Sequence, residues 1–200
     1  MSTRPATRPA RERLLAAASE LFYERGIAAT GVDAVLLRAG VSPSTLYAHV
    51  PGKDALVAAY LEERHRTWVA TWDEVLERLT DPIERLLSVF GALALHRARE
   101  GNRRGCAFLA AATELPPGHP GQAWLAADSC LLTGRLRELA VAAGLEDADE
   151  VAADLLLLYD GALARWARNA TVPDLASGDP LEQARSLASS LLAGRRPRRH

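Results

Sequence analysis

A chain of 200 residues has room for one large domain or two small ones. With 48% hydrophobic and 24% charged residues, and only 14 Gly and 11 Pro, it is not collagen-like, low-complexity or wholly disordered. It is long enough to bury most of the surface of its unfolded chain without a metal or disulfide staple, so Cys106 and Cys130 read as free thiols in a reducing cytoplasm. No apolar run reaches the roughly 18 residues of a membrane span. Residues 1–13 are charged without a hydrophobic run, so no signal peptide is expected either. The net charge of −1 conceals a partition: residues 1–60 hold 7 Lys/Arg against 5 Asp/Glu, whereas residues 61–194 hold 13 against 20. A mildly basic end on an acidic body hints at an anionic partner.

Taken in order, nearly every segment has helical period and none sustains strand alternation, so the expected fold is all-α with about nine helices. Residues 1–9, with Arg4 and Arg8, read as a flexible basic arm, and the first helix spans about 10–25. Its stripe is Leu14, Leu15, Ala18, Leu21 and Phe22, and Gly26 is placed to end it. Thr30 is placed to cap a short second helix whose face is Val32, Val35, Leu36 and Ala39. Gly40 can take the positive φ that stops that helix, Ser42 can cap the next, and Pro43 suits its first position. The third helix is brief, about 43–49, because Pro51-Gly52 closes it; a fourth starts near Lys53 and runs past Trp72. Asp81-Pro82-Ile83-Glu84 and Asp179-Pro180-Leu181-Glu182 are near-identical helix starts, each with an acidic cap and a proline at the first position. They predict helices over about 82–100 and 180–193. Between them the pattern gives helices near 106–114, 122–143 and 149–169, and 195–200 reads as a disordered basic tail.

Two short helices joined by a three-residue Gly-containing turn fit a helix-turn-helix unit, whose second helix enters the major groove of DNA. On residues 43–49 the apolar pair Leu46 and Val50 defines the buried face, so at 100° per residue Ser44, Thr45 and Ala48 point away from it and Tyr47 and His49 flank them. Small outward side chains let the helix sit deep in a groove, and the flanking phenol and imidazole reach toward the phosphate walls. Lys53 adds an ammonium beside a helix start.

The string Leu14-Leu15-Ala16-Ala17-Ala18-Ser19-Glu20-Leu21-Phe22, then Gly26, Thr30, Val32, Ala39-Gly40-Val41-Ser42, Ser44-Thr45-Leu46-Tyr47, His49, Lys53 and Leu56-Val57 resembles the DNA-binding domain of TetR-type transcriptional repressors. The resemblance covers roughly the first third of the chain. It implies a DNA-binding domain over 10–58, with Ser42, Ser44 and Thr45 near base edges or phosphates, Tyr47, His49 and Lys53 on the backbone, and Thr30 anchoring the second helix. It also implies that residues 59–194 form a helical effector-binding and dimerisation domain. One departure is Pro43, which stands where members often carry a polar residue, and Ala48 is mute except toward a thymine methyl. The stretch from Arg104-Gly105-Cys106 to Glu114 resembles a Gly-Cys block of one branch of the family.

In the second part Trp68, Trp72, Phe90, Cys106, Phe108, Trp124, Tyr159 and Trp166 are candidate lining for an apolar effector pocket, though aromatics at helical spacing also make plain core. Val151, Leu155, Leu158 and Ala162, with Leu181, Ala184, Leu187 and Leu191, are candidates for a homodimer interface; a monomer core would use the same residues. No Gly-rich phosphate loop, metal-spaced His/Cys cluster or nucleophile elbow is present, so neither an enzyme nor a cofactor or metal is expected. The expected function is a cytoplasmic homodimer that binds double-stranded operator DNA, most simply a repressor released by a small apolar or amphipathic molecule. The alternative from another class is a helical small-molecule binding protein or an enzyme without specific DNA binding.

Overall fold

Caps and glycines set most of the helix ends. In the computed structural model, which describes residues 9–100, 105–169 and 178–195, ten helices follow one another and no β-strand occurs among the described residues. They are α1 Ala10–Arg25, α2 Val32–Ala39, α3 Pro43–His49, α4 Lys53–Glu77, α5 Pro82–Leu86, α6 Ser88–Glu100, α7 Ala107–Glu114, α8 Gln122–Ala142, α9 Ala148–Asn169 and α10 Pro180–Ala193. The all-α architecture is thus the expected one, and the acidic caps act as their spacing implies. The Asp81 carboxylate accepts the Glu84 N–H at 2.8 Å, and that of Asp179 accepts the Leu181 N–H at 2.9 Å.

The tenth helix arises because the expected 82–100 segment breaks at Leu87, where ψ is −6° and the Phe90 N–H bonds to the Leu87 carbonyl three residues back. The break adjoins Ser88, whose buried hydroxyl accepts the Trp72 indole N–H at 2.8 Å. A contact with a residue 16 positions away therefore acts at this point, and no local pattern encodes it.

The chain divides into two compact units, the first reaching Arg64 and including Ala107–Leu125, the second formed by His65–Cys106 and the residues from Ala126. The first has its own core, in which Leu14, Leu21 and Phe22 of α1 pack with Val35 and Leu36 of α2, Leu46 of α3, Leu56, Val57 and Leu61 of α4, and Ala107, Ala111 and Leu115. Sequence spacing places 107–125 with the second part. In the structure its small-residue face, Ala107 and Ala111, lies against the first core instead, with Phe108 and Trp124 packed around it.

The second unit is centred on Trp68, Trp72, Leu86, Phe90, Leu136, Val151, Leu155 and Tyr159. Within it α10 packs against α9 and α6. Of the residues expected at a dimer interface, Val151, Leu155, Ala162, Leu181 and Ala184 are buried inside this core, because α9 and α10 use those faces on each other; Leu158 and Leu191 are half-buried against it. Leu187 is 53% exposed, and Leu157 on α9 is 73% exposed. Arg195, expected as the start of the tail, is instead paired with Glu150 at 3.1 Å and with Asp154. The rest of the tail and arm residues 1–8 lie outside the described residues.

Candidate nucleic-acid interface

The first unit holds α3 through one buried pair and three polar ties. Leu46 is wholly buried and Val50 nearly so, which pins the helix by the face expected. Arg13 of α1 donates to the carbonyls of Ala39 and Gly40, both at 3.0 Å, satisfying carbonyls that the end of α2 leaves without helical partners. Gly40 there adopts φ +62°, the left-handed conformation that only glycine takes without strain. Ser42 then caps α3, its Oγ accepting the Thr45 N–H at 3.2 Å.

These supports leave Ser44, Tyr47, Ala48 and His49 exposed on α3, Tyr47 by 65%. Thr45 is only half-buried, and its hydroxyl lies 2.9 Å from Ser42 Oγ, so it is less outward than its helical angle alone suggests. Seven residues of helix thus present a phenol, an imidazole and small side chains to solvent, the set expected of a helix that enters a groove.

Thr30 differs from expectation. It is buried, α2 is preceded by Gly31, and no side chain caps it. The Thr30 hydroxyl instead donates backward, to the Gly26 carbonyl at 2.8 Å and toward the Leu21 carbonyl at 3.2 Å, because the turn after α1 brings both within its reach. It anchors the α1–α2 turn from inside. Lys53 is half-buried, with its ammonium 3.5 Å from the Ala28 carbonyl of the same turn.

Two further residues, to which sequence reasoning gave no role, make contacts within the first unit. Glu114, at the end of α7, accepts the Ala28 N–H at 2.6 Å, and its carboxylate lies where a Cβ at Gly26 would be only 3.2 Å away. The buried His119 imidazole accepts the Gly121 N–H on Nδ1 at 2.9 Å, which leaves Nε2 as the donor facing Asp54 at 3.4 Å. Glu114 and His119 lie more than 60 positions from Ala28 and Asp54 respectively, which is why spacing does not reveal those contacts.

The expected pocket residues separate. Trp68, Trp72, Phe90 and Tyr159 share the second core, Cys106 and Trp166 border it, and Phe108 and Trp124 belong to the first. The Trp68 ring lies 5.4 Å from Trp72, 5.7 Å from His96 and 6.1 Å from Tyr159. The buried Trp68 indole N–H has no hydrogen-bond acceptor among the described residues. Beside these rings sits Asp128, 7% exposed, whose carboxyl burial and the nearby Asp160 push up to about 7. Burial also raises Asp160, holds the Tyr159 phenol well above its ordinary range and lowers the His65 imidazole, which stands 3.6 Å from Asp128. Among the described residues no group of three or more His, Cys, Asp or Glu is placed to hold a metal ion, and no helix is long and apolar enough to cross a membrane.

Comparison with known proteins places these features in a family. Residues 14–60 match the model of bacterial regulatory proteins of the tetR family. Over 76 residues the chain is 41% identical to the transcriptional activator FasR of Mycolicibacterium smegmatis, and over 90 residues 31% identical to the repressor KstR2 of the same species. Those matches cover 38% and 45% of this chain and 35% and 43% of the relatives, so the chain matches well under half the length of either. Similarity to solved structures extends much further. A TetR-family regulator from Streptomyces coelicolor, SCO4454, superposes with a TM-score of 0.81 at 29% identity, over 92% of this chain and 94% of that one. A second from Streptomyces avermitilis, sav143, gives 0.71 at 33% identity, over 91% and 99%. With the helix-turn-helix block, the helical remainder and this likeness along nearly the whole chain in agreement, the protein belongs to the TetR family.

Proposed function

We propose that the protein is a cytoplasmic, homodimeric transcriptional regulator that binds operator DNA through α3 and is a repressor released by an apolar or amphipathic small molecule. The observation that carries the reading is the exposed set Ser44, Tyr47, Ala48 and His49 on a helix pinned by Leu46 and Val50, inside the segment that matches the family model. Tyr47 and His49 donate to phosphates, which position the helix, while Ser44 and Ala48 face base edges. Ser42 and Thr45 act mainly by shaping the start of the helix.

A dimer is required to read a two-fold operator, because two recognition helices must meet successive major grooves. We assign the contact to the outward faces of α9 and α10 marked by Leu157 and Leu187, since the inward faces are already consumed within the protomer. Release is a population shift: a ligand that prefers the state whose helix spacing misfits the operator by about 1.4 kcal/mol weakens DNA binding tenfold. In this scheme α4, which runs from Lys53 through Trp68 and Trp72, transmits the change. Trp72, Phe90 and Tyr159 with Cys106 and Trp166 supply apolar surface to the ligand, and Trp68 adds its indole N–H.

The test is binding of the full chain to duplexes selected from a random library, at two salt concentrations, against scrambled duplexes. Selective binding that weakens steeply with salt, at two protomers per duplex, supports the reading. Equal weak binding to selected and scrambled duplexes would defeat it.

A further inference from the structure

The outward face of α3 has little capacity to read bases by hydrogen bonds. Pro43–His49 contains no amide or guanidinium side chain, so the bidentate pairings that pick out guanine or adenine in the major groove are not available from this helix. Its first hydroxyls are also tied to one another. Ser42 Oγ accepts the Thr45 N–H at 3.2 Å and lies 2.8 Å from Ser44 Oγ and 2.9 Å from Thr45 Oγ1. A hydroxyl has one proton and two lone pairs. Ser42 therefore donates to one of these neighbours and accepts from the other, and only one of the two hydroxyls keeps a free proton for DNA.

What the centre of the face offers instead is a methyl group. Ala48 is exposed, one helical turn after exposed Ser44 and opposite buried Leu46. The thymine 5-methyl group is the apolar feature of the major groove, and small apolar side chains are its natural contacts.

We infer that α3 selects its half-site by apolar contact between the Ala48 methyl and a thymine 5-methyl group, so that bound duplexes carry thymine at one fixed position in each half. This rests on the DNA-binding reading and adds the chemistry by which sequence is read. Apart from the one hydroxyl that keeps a free proton, bases elsewhere in the half-site act through shape and deformability rather than through side-chain hydrogen bonds from α3.

Replacing thymine by deoxyuridine removes the methyl group and leaves base pairing intact. The full chain is used to select duplexes from a random library, and a selected duplex is resynthesised with deoxyuridine at each thymine in turn. The expected result is one position per half-site where the substitution weakens binding roughly fourfold, the value of one buried methyl group. With Ala48→Gly the thymine-to-deoxyuridine affinity ratio at that position falls to about one. Because both duplexes are read with the same protein, any loss of folded fraction cancels from the ratio. Selected duplexes indifferent to deoxyuridine at every position, or an unchanged ratio in Ala48→Gly, overturn the inference while leaving DNA binding in place. A library that yields no enriched duplex overturns the DNA-binding reading and this inference with it.

Discussion

Both units spend polar side chains on backbone at helix ends, as Asp81 and Asp179 do in the second, but they differ in the polar groups they bury. In the first, Arg13, Thr30, Ser42 and Glu114 all spend hydrogen bonds on backbone at helix ends and turns, which fixes the chain around α3 and leaves the α3 surface free. In the second, Asp128 is buried, with the His65 imidazole 3.6 Å away, and the Trp68 N–H has no acceptor among the described residues. Polar groups placed at backbone ends stabilise a rigid shape. Polar groups placed in a core cost free energy that a change of protonation or a bound partner can relieve. Under the proposed function, the contrast would separate a braced DNA-binding unit from the unit that takes the effector.

The sharpest way to test that contrast is Asp128→Asn. A carboxyl raised from 3.8 to about 7 binds its proton more tightly when folded, so its contribution to stability is complete below about pH 4 and is lost as pH rises to about 7. Asparagine has no such loss. Denaturant unfolding of parent and variant at pH 4 and pH 8 is expected to show the variant gaining on the parent by up to about 4 kcal/mol across that range. A gap independent of pH would mean that Asp128 is not held protonated.

Next in size is Leu46→Ala. Removing a wholly buried leucine leaves a cavity costing about 3 kcal/mol, and it should loosen the first unit and abolish DNA binding, with faster amide exchange in residues 10–61 than in α9. Equal loosening of both units would break the comparison. The smallest effect is that of Glu114→Ala, which leaves the Ala28 N–H without its partner and should cost about 1 kcal/mol, seen as faster exchange at Ala28 and its neighbours. Protection unchanged at Ala28 would show that α7 does not hold the α1–α2 turn.

Which of these features the sequence discloses follows from how local each one is. Ser42, Asp81 and Asp179 act on amides two or three residues ahead, and Gly26 and Gly40 act on their own φ, so the helix ends they set are legible. The exposed face of α3 is legible for the same reason, since Leu46 and Val50 fix it by periodicity. Thr30 misleads because a cap to the next helix and a bond back to the previous one look alike in sequence. The break at Leu87, the packing of Ala107–Leu125 on the first core and the burial of Asp128 depend on partners far away in the chain. Likewise, α9 and α10 carry apolar residues on more than one face, so spacing alone does not say that Val151 and Leu181 turn inward while Leu157 and Leu187 turn out.

The central claim is that the exposed side chains of α3 grip DNA, and the most direct measurement compares the parent with a Tyr47→Ala, His49→Ala double variant on one selected duplex. Both side chains are exposed, so the unfolding midpoint should not move. Loss of two phosphate contacts per protomer, four per dimer, should weaken binding by at least about 2 kcal/mol, roughly thirtyfold or more. A folded double variant that binds the duplex as tightly as the parent would contradict the account.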